Sequence, residues 1–123
     1  MKSRDSVVRI KRFELEEKAR RVTELHYMIR DFELLTIDLE RQIAAEEDRT
    51  GIKDTGHFAY STFAKAATLR RDNLMSSAAE LRGKLDAAEK DHDEARSQLA
   101  RHDRGDAGSP TSLRVTAEGA TLR

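Results

Sequence analysis

Apolar residues recur at alternating three- and four-residue steps along two stretches of the chain. In the first, Val8, Leu15, Val22, Ile29, Thr36 and Ile43 stand seven apart, and Leu25, Phe32 and Leu39 follow three residues after Val22, Ile29 and Thr36. These are the a and d positions of a heptad repeat. Charged residues occupy three further positions of that line, Lys11, Lys18 and Glu46, where the apolar seam is expected to fail. In the second stretch Tyr60, Ala67, Leu74, Leu81, Ala88 and Ala95 form one heptad line. Ala64, Ala78, Leu85 and Leu99 lie on a second line, broken by Arg71 and His92. A period of 3.5 residues sustained over several heptads predicts supercoiled helices rather than a globular amphipathic helix.

Between the stretches, residues 50–57 read TGIKDTGH, with two glycines and two helix-capping residue types. This predicts a turn, with Asp54 or Thr55 accepting a backbone N–H at the start of the second helix. The expected fold is all-α: a long antiparallel two-helix coiled-coil hairpin with a disordered C-terminal tail. The hairpin domain covers 1–104, with one helix over about 6–49, the turn over 50–57 and the second helix over about 57–104. Gly83 is expected to interrupt the second helix. Residues 105–123 hold Gly, Ser, Thr and the chain's one proline without a sustained period, and are expected to be the disordered tail. A register that places Leu25 by Leu85, Ile29 by Leu81, Phe32 by Ala78 and Ile43 by Ala67 alternates large side chains with small ones. It sets Leu39 against Arg71, whose alkyl stem then packs while its charge reaches water.

A plain two-stranded coiled coil keeps its b, c and f positions polar. Here Tyr27 and Leu34 fall at f and Ile37 at b, so three apolar side chains share the back of the first helix. Met28 and Leu35, both at g, widen this stripe. Near the turn, Phe58 falls at b and Leu69 at f of the second helix. A stripe of this kind marks a binding surface for a different protein, unless a second copy or a third helix covers it. Near the N-terminus Ile10 and Phe13 lie at c and f beside Arg9, Lys11 and Arg12. Either a heptad stutter rotates them into the seam, or they form an exposed apolar and basic end that docks into an acidic cavity.

Charge sharpens the contrast between the two regions. The 123 residues carry 23 Lys plus Arg and 23 Asp plus Glu, a formal net charge of zero. Residues 1–21 nevertheless hold eight basic and four acidic side chains, and residues 31–49 two basic and seven acidic. The first segment is thus net positive by four and the second net negative by five. Such runs either solvate a coiled-coil surface or orient two different partners. A neutral total argues against a nucleic-acid coat, and 37% charged residues with 5% aromatics argue against an enzyme pocket. No cysteine is present, so there is no disulfide framework or thiolate metal site. His26, His57, His92 and His102 show no close i, i+4 pairing, and His92 reads as a polar seam residue. No phosphate loop is found, and no catalytic, metal or cofactor-binding residues are expected. The absence of a long apolar run and of an apolar core in MKSRDSVVRIKR predicts a cytoplasmic protein.

The segments MKSRDSVVRIKRFELEEKARRV and IAAEEDRTGIKDTGHFAYSTFAKAATLRRDNL resemble the bacterial flagellar type III export protein family FliJ, over roughly residues 1–100. The most distinctive part is GIKDTGHFAY followed by Arg71, Asp72, Asn73 and Leu74. The resemblance implies a cytoplasmic antiparallel coiled coil similar to the central stalk of rotary ATPases. It implies recruitment to the inner-membrane export apparatus, with the export ATPase ring, the cytoplasmic domain of the export gate and export chaperones as protein partners. It implies no enzymatic activity and no cofactor, and the free chain is expected to be a monomer that does not bind nucleic acid. On matching positions the ATPase-facing end includes Arg9, Ile10, Arg12 and Phe13. Tyr27, Leu34, Ile37 and Phe58 are then candidates for the gate or chaperones. The alternative function is a self-associating coiled-coil scaffold or holdase unrelated to export.

Overall fold

A computed structural model describes residues 2–107. Two α-helices, α1 (Lys2–Thr50) and α2 (Thr62–Ala107), account for all of them but the connection between. In this all-helical hairpin the two helices pack against each other. The chain divides into two compact units, one joining Met1–Val22 to Ala88–Arg123 and the other formed by Thr23–Ala87.

In α1 the side chains withdrawn from solvent follow the heptad without a break. Val8, Lys11, Leu15, Lys18, Val22, Leu25, Ile29, Phe32, Thr36, Leu39, Ile43 and Glu46 are all buried or half-buried. Lys11, Lys18 and Glu46 keep their place in this line but are only half-buried, and the buried apolar side chains of α1 other than Val8 all fall between Val22 and Ile43. A long charged side chain can lay its aliphatic stem along a seam while its charge reaches the edge, and Lys18 reaches Asp91 in this way. In α2 Arg71 and His92 are likewise half-buried at seam positions. Arg71 sends its guanidinium to Asp72, with Nη2 2.9 Å from Oδ1, while Leu39 stays buried.

The second unit holds most of the core. Leu25, Ile29, Leu39, Ile43, Tyr60, Ala64, Ala67, Ala78 and Leu81 are buried there. Leu39, Ile43, Tyr60, Ala64 and Ala67 form one cluster, with Ile52 and Leu74 packed against it. Ile43 and Ala67 belong to this cluster together with Tyr60 and Ala64. In the first unit Val8 is the one buried apolar side chain among the described residues. There the two helices are tied by Lys18 and Asp91, whose Nζ and Oδ2 lie 2.7 Å apart. The bond to Asp91 raises the Lys18 pKa above its ordinary value.

The connection is longer than expected and differently capped. α1 stops at Thr50 because Gly51 takes φ +76°, the left-handed conformation that glycine adopts without a Cβ clash. The Gly51 N–H donates to the Glu47 carbonyl at 2.8 Å, closing the helix end. Residues 51–61 then form the loop, so α2 begins at Thr62 rather than near residue 57. Its cap is Ser61, whose Oγ accepts from the Ala64 N–H at 3.1 Å. Asp54 instead makes a local turn, accepting from the Gly56 N–H at 2.9 Å.

Gly83 does not interrupt α2, which runs through it unbroken. A Cβ built there meets no atom within 4 Å. Gly83→Ala is therefore expected to stabilise the fold by about 0.5–1 kcal/mol, through the smaller backbone entropy of the unfolded chain. Thermal unfolding checks this, and a lower melting temperature would contradict it. Residues 105–107 continue α2, and the rest of the expected tail lies outside the described residues.

Candidate partner-binding surfaces

In the first unit the seam claims Val8, Leu15 and Val22, and this fixes what the rest of the helix shows to solvent. Val7, Ile10 and Phe13 all remain exposed, Phe13 at 60%. A stutter that turned Ile10 and Phe13 inward would have buried them, so the heptad is continuous here. Arg9 and Arg12 flank them on the same exposed surface. Arg12 Nη2 lies 4.0 Å from Asp103 Oδ1, with both side chains well solvated. Such a loose exposed pair contributes about 0–1 kcal/mol and leaves the guanidinium available to a partner.

In the second unit the back of α1 carries the stripe. Tyr27 is 66% exposed, and Met28, Leu34, Leu35 and Ile37 are all exposed as well. No third element covers them among the described residues. Full burial of a side chain of this kind is worth about 1.5–3 kcal/mol, so the stripe is a substantial store of contact energy left unused by the hairpin.

Phe58 is placed apart from that stripe. It lies in the 51–61 loop and not on a b position of α2. At 96% exposed it is the most solvated large apolar side chain described. Its ring stacks on His57 with centroids 4.7 Å apart and planes at 22°. His57 is held in turn, because its Nδ1 accepts from the Ala59 N–H at 2.9 Å. The loop thus presents a single aromatic ring on an ordered support. Leu69 and Phe63 are exposed on the first turns of α2.

Glu46, Glu47 and Asp48 form an acidic run at the end of α1, and each has a partner. Asp48 Oδ1 lies 3.6 Å from Lys53 Nζ, with both side chains exposed. Glu46 Oε2 accepts from the Ser61 hydroxyl at 2.5 Å, and both its oxygens accept from Arg49 at 2.9 Å. Glu47 Oε2 accepts from the Tyr60 hydroxyl at 2.6 Å. The Ser61 hydroxyl donates to α1 while accepting from α2, so one side chain joins the end of one helix to the start of the next. The available sequence signal was a serine directly before the second apolar period, a cap type overlooked in favour of Asp54 and Thr55.

Hydrogen bonds from Arg49, then Ser61, hold the Glu46 carboxyl down to about 2. A carboxylate depressed in the folded state contributes stability that is complete above its unfolded value near 4.5 and is lost as pH falls towards 2. Glu46→Gln is expected to flatten the acid limb of melting temperature against pH between those values. An unchanged acid limb would show that the bonds to Ser61 and Arg49 do not form in solution. The Tyr60 phenol is shifted in the opposite sense, raised by its bond to Glu47, so its contribution is complete below pH 10 and lost above it.

Among the described residues no helix is long and apolar enough to cross a membrane, and no group of three His, Cys, Asp or Glu side chains is placed to hold a metal ion. Comparison with protein-family models, curated proteins and solved structures finds no match. The class defined here is therefore that of an all-α helical hairpin with apolar side chains left outside a complete seam.

Proposed function

We propose that this protein is a non-enzymatic, cytoplasmic component of a flagellar type III export apparatus. In this reading it binds the export ATPase ring as a stalk through Arg9, Ile10, Arg12 and Phe13. Tyr27, Leu34, Ile37 and Phe58 engage the cytoplasmic domain of the export gate and export chaperones. The observation that supports binding as the activity is the surplus of exposed apolar side chains beside an uninterrupted heptad seam. Their distribution over two units gives different partners separate side chains. The export assignment itself rests on the resemblance of residues 1–100 to FliJ.

Ile10→Asp combined with Phe13→Asp is expected to abolish co-purification with the export ATPase while leaving helix content unchanged, because both side chains are solvent-facing already. Tyr27→Ala with Leu34→Ala is expected to spare the ATPase and weaken capture of the gate domain or chaperones. Wild-type capture by both variants would sink the assignment. A self-associating scaffold is the second reading, favoured by the same open stripe. Sedimentation across a concentration series separates the two, since the export component stays monomeric when free.

A further inference from the structure

The stripe on α1 is not uniformly apolar, and its composition specifies what can lie on it. In a heptad helix the c row runs between the f and g rows. Tyr27 and Leu34 occupy f, Met28 and Leu35 occupy g, and between them the c row reads Glu24, Asp31 and Asp38. Asp31 follows Tyr27 by four residues and Met28 by three, and precedes Leu34 by three and Leu35 by four. It is an exposed carboxylate framed by four exposed apolar side chains. Asp38 is exposed too and accepts from the Gln42 amide at 2.9 Å. Within segment 31–49 Glu33 pairs with Arg82, and Glu46 and Glu47 bond to Ser61 and Tyr60, so the negative charge between these apolar rows is that of the c row, and acidic surfaces are repelled from it.

We propose that this face is the docking site for an amphipathic partner helix bearing one lysine or arginine row flanked by apolar residues. The spacing of Asp31 and Asp38, one heptad apart, matches basic residues one heptad apart on the partner. The f and g rows supply apolar ridges on either side, the arrangement by which a helix seats against another helix. The charged row sets orientation and encounter rate, and the flanking rows set residence time. A second copy of this chain is the competing occupant, since its own first 21 residues are basic and carry Ile10 and Phe13.

The inference deepens the partner-surface reading of the stripe and is tested separately from the export assignment. The probe is a synthetic helical peptide of about 18 residues, roughly five turns, with a lysine row between two leucine rows. A second peptide carries glutamate in place of each lysine. The full chain is expected to bind the lysine peptide and not the glutamate peptide, with binding weakened by added salt. Asp31→Lys is expected to weaken the lysine peptide by at least about tenfold and to bring the glutamate peptide into binding. Asp48→Lys makes the same charge change at an exposed carboxylate that lies on the f row two heptads beyond Leu34, past the end of the apolar rows and paired with Lys53, and is expected to leave both affinities within about twofold. Leu34→Ser is expected to weaken both peptides on the Asp31→Lys background.

Equal losses from Asp31→Lys and Asp48→Lys would reduce the effect to net charge and overturn the site. So would equal binding of the two peptides to the unaltered chain. Concentration-dependent dimerisation blocked by Leu34→Ser would assign the face to a second copy instead. If the peptides behave as expected while the export ATPase, gate domain and chaperones are not captured, only the export assignment falls. The converse result removes only the basic-helix chemistry.

Discussion

Replacing Leu25 by alanine is expected to lower the unfolding free energy by about 2–4 kcal/mol, with the helices still formed in the absence of denaturant. Leu25 is 1% exposed and is the one large side chain fully withdrawn from water among the described residues. A two-helix core has a single seam, so no further layer of side chains can move in to close the gap. The loss therefore combines the transfer energy of the removed atoms with the energy of a cavity that relaxes only in part. Urea unfolding of the two proteins measures it, provided the slope with denaturant is unchanged. A loss below about 1 kcal/mol would mean that the helices close on the site, and that the seam near Leu25 is less tightly packed than its burial implies.

A second substitution separates heptad logic from packing. Ala64 sits on a seam line, where leucine is the residue a coiled-coil pattern would favour. The structure gives the opposite expectation. Ala64 is 0% exposed and belongs to the cluster of Leu39, Ile43, Tyr60 and Ala67. The Tyr60 ring cannot swing aside freely, because its hydroxyl is bonded to Glu47 at 2.6 Å. Ala64→Leu is expected to destabilise by about 1–3 kcal/mol, through strain in its neighbours or loss of the Tyr60 bond. A higher melting temperature would show that the cluster has room and that the pattern rule holds there. Loss of the alkaline limb linked to Tyr60 would locate the strain at that bond.

The particular residues explain why some features were legible beforehand. Every heptad position assigned in α1 from Val8 to Glu46 is withdrawn from solvent, and Tyr27, Leu34 and Ile37 outside it are exposed. Both outcomes depend on helical geometry alone once the period is known. Lys11, Lys18, Arg71 and His92 were harder, because a polar head and an apolar stem give opposite answers at the same position. Phe58 differs for another reason. A second helix reaching back to residue 57 gives it a heptad letter, whereas it lies in the loop with its ring stacked on His57. Gly83 was overread as a break, since the roughly 1 kcal/mol penalty of one exposed glycine is small against a helix packed on both sides of it.

By itself, then, the sequence determined the helical class, the seam and the apolar rows left outside it, because side-chain period is a local property of the backbone. The tertiary structure decided the 51–61 loop, the choice of Ser61 over Asp54 as cap, and the partners of Glu46 and Glu47. It also decided that the core gathers in Thr23–Ala87, while the unit joining Met1–Val22 to Ala88–Arg123 has one buried apolar side chain among the described residues. Each of these depends on which groups meet across the chain. A carboxylate and a hydroxyl fifteen residues apart become partners only when two helices bring them within 2.5 Å.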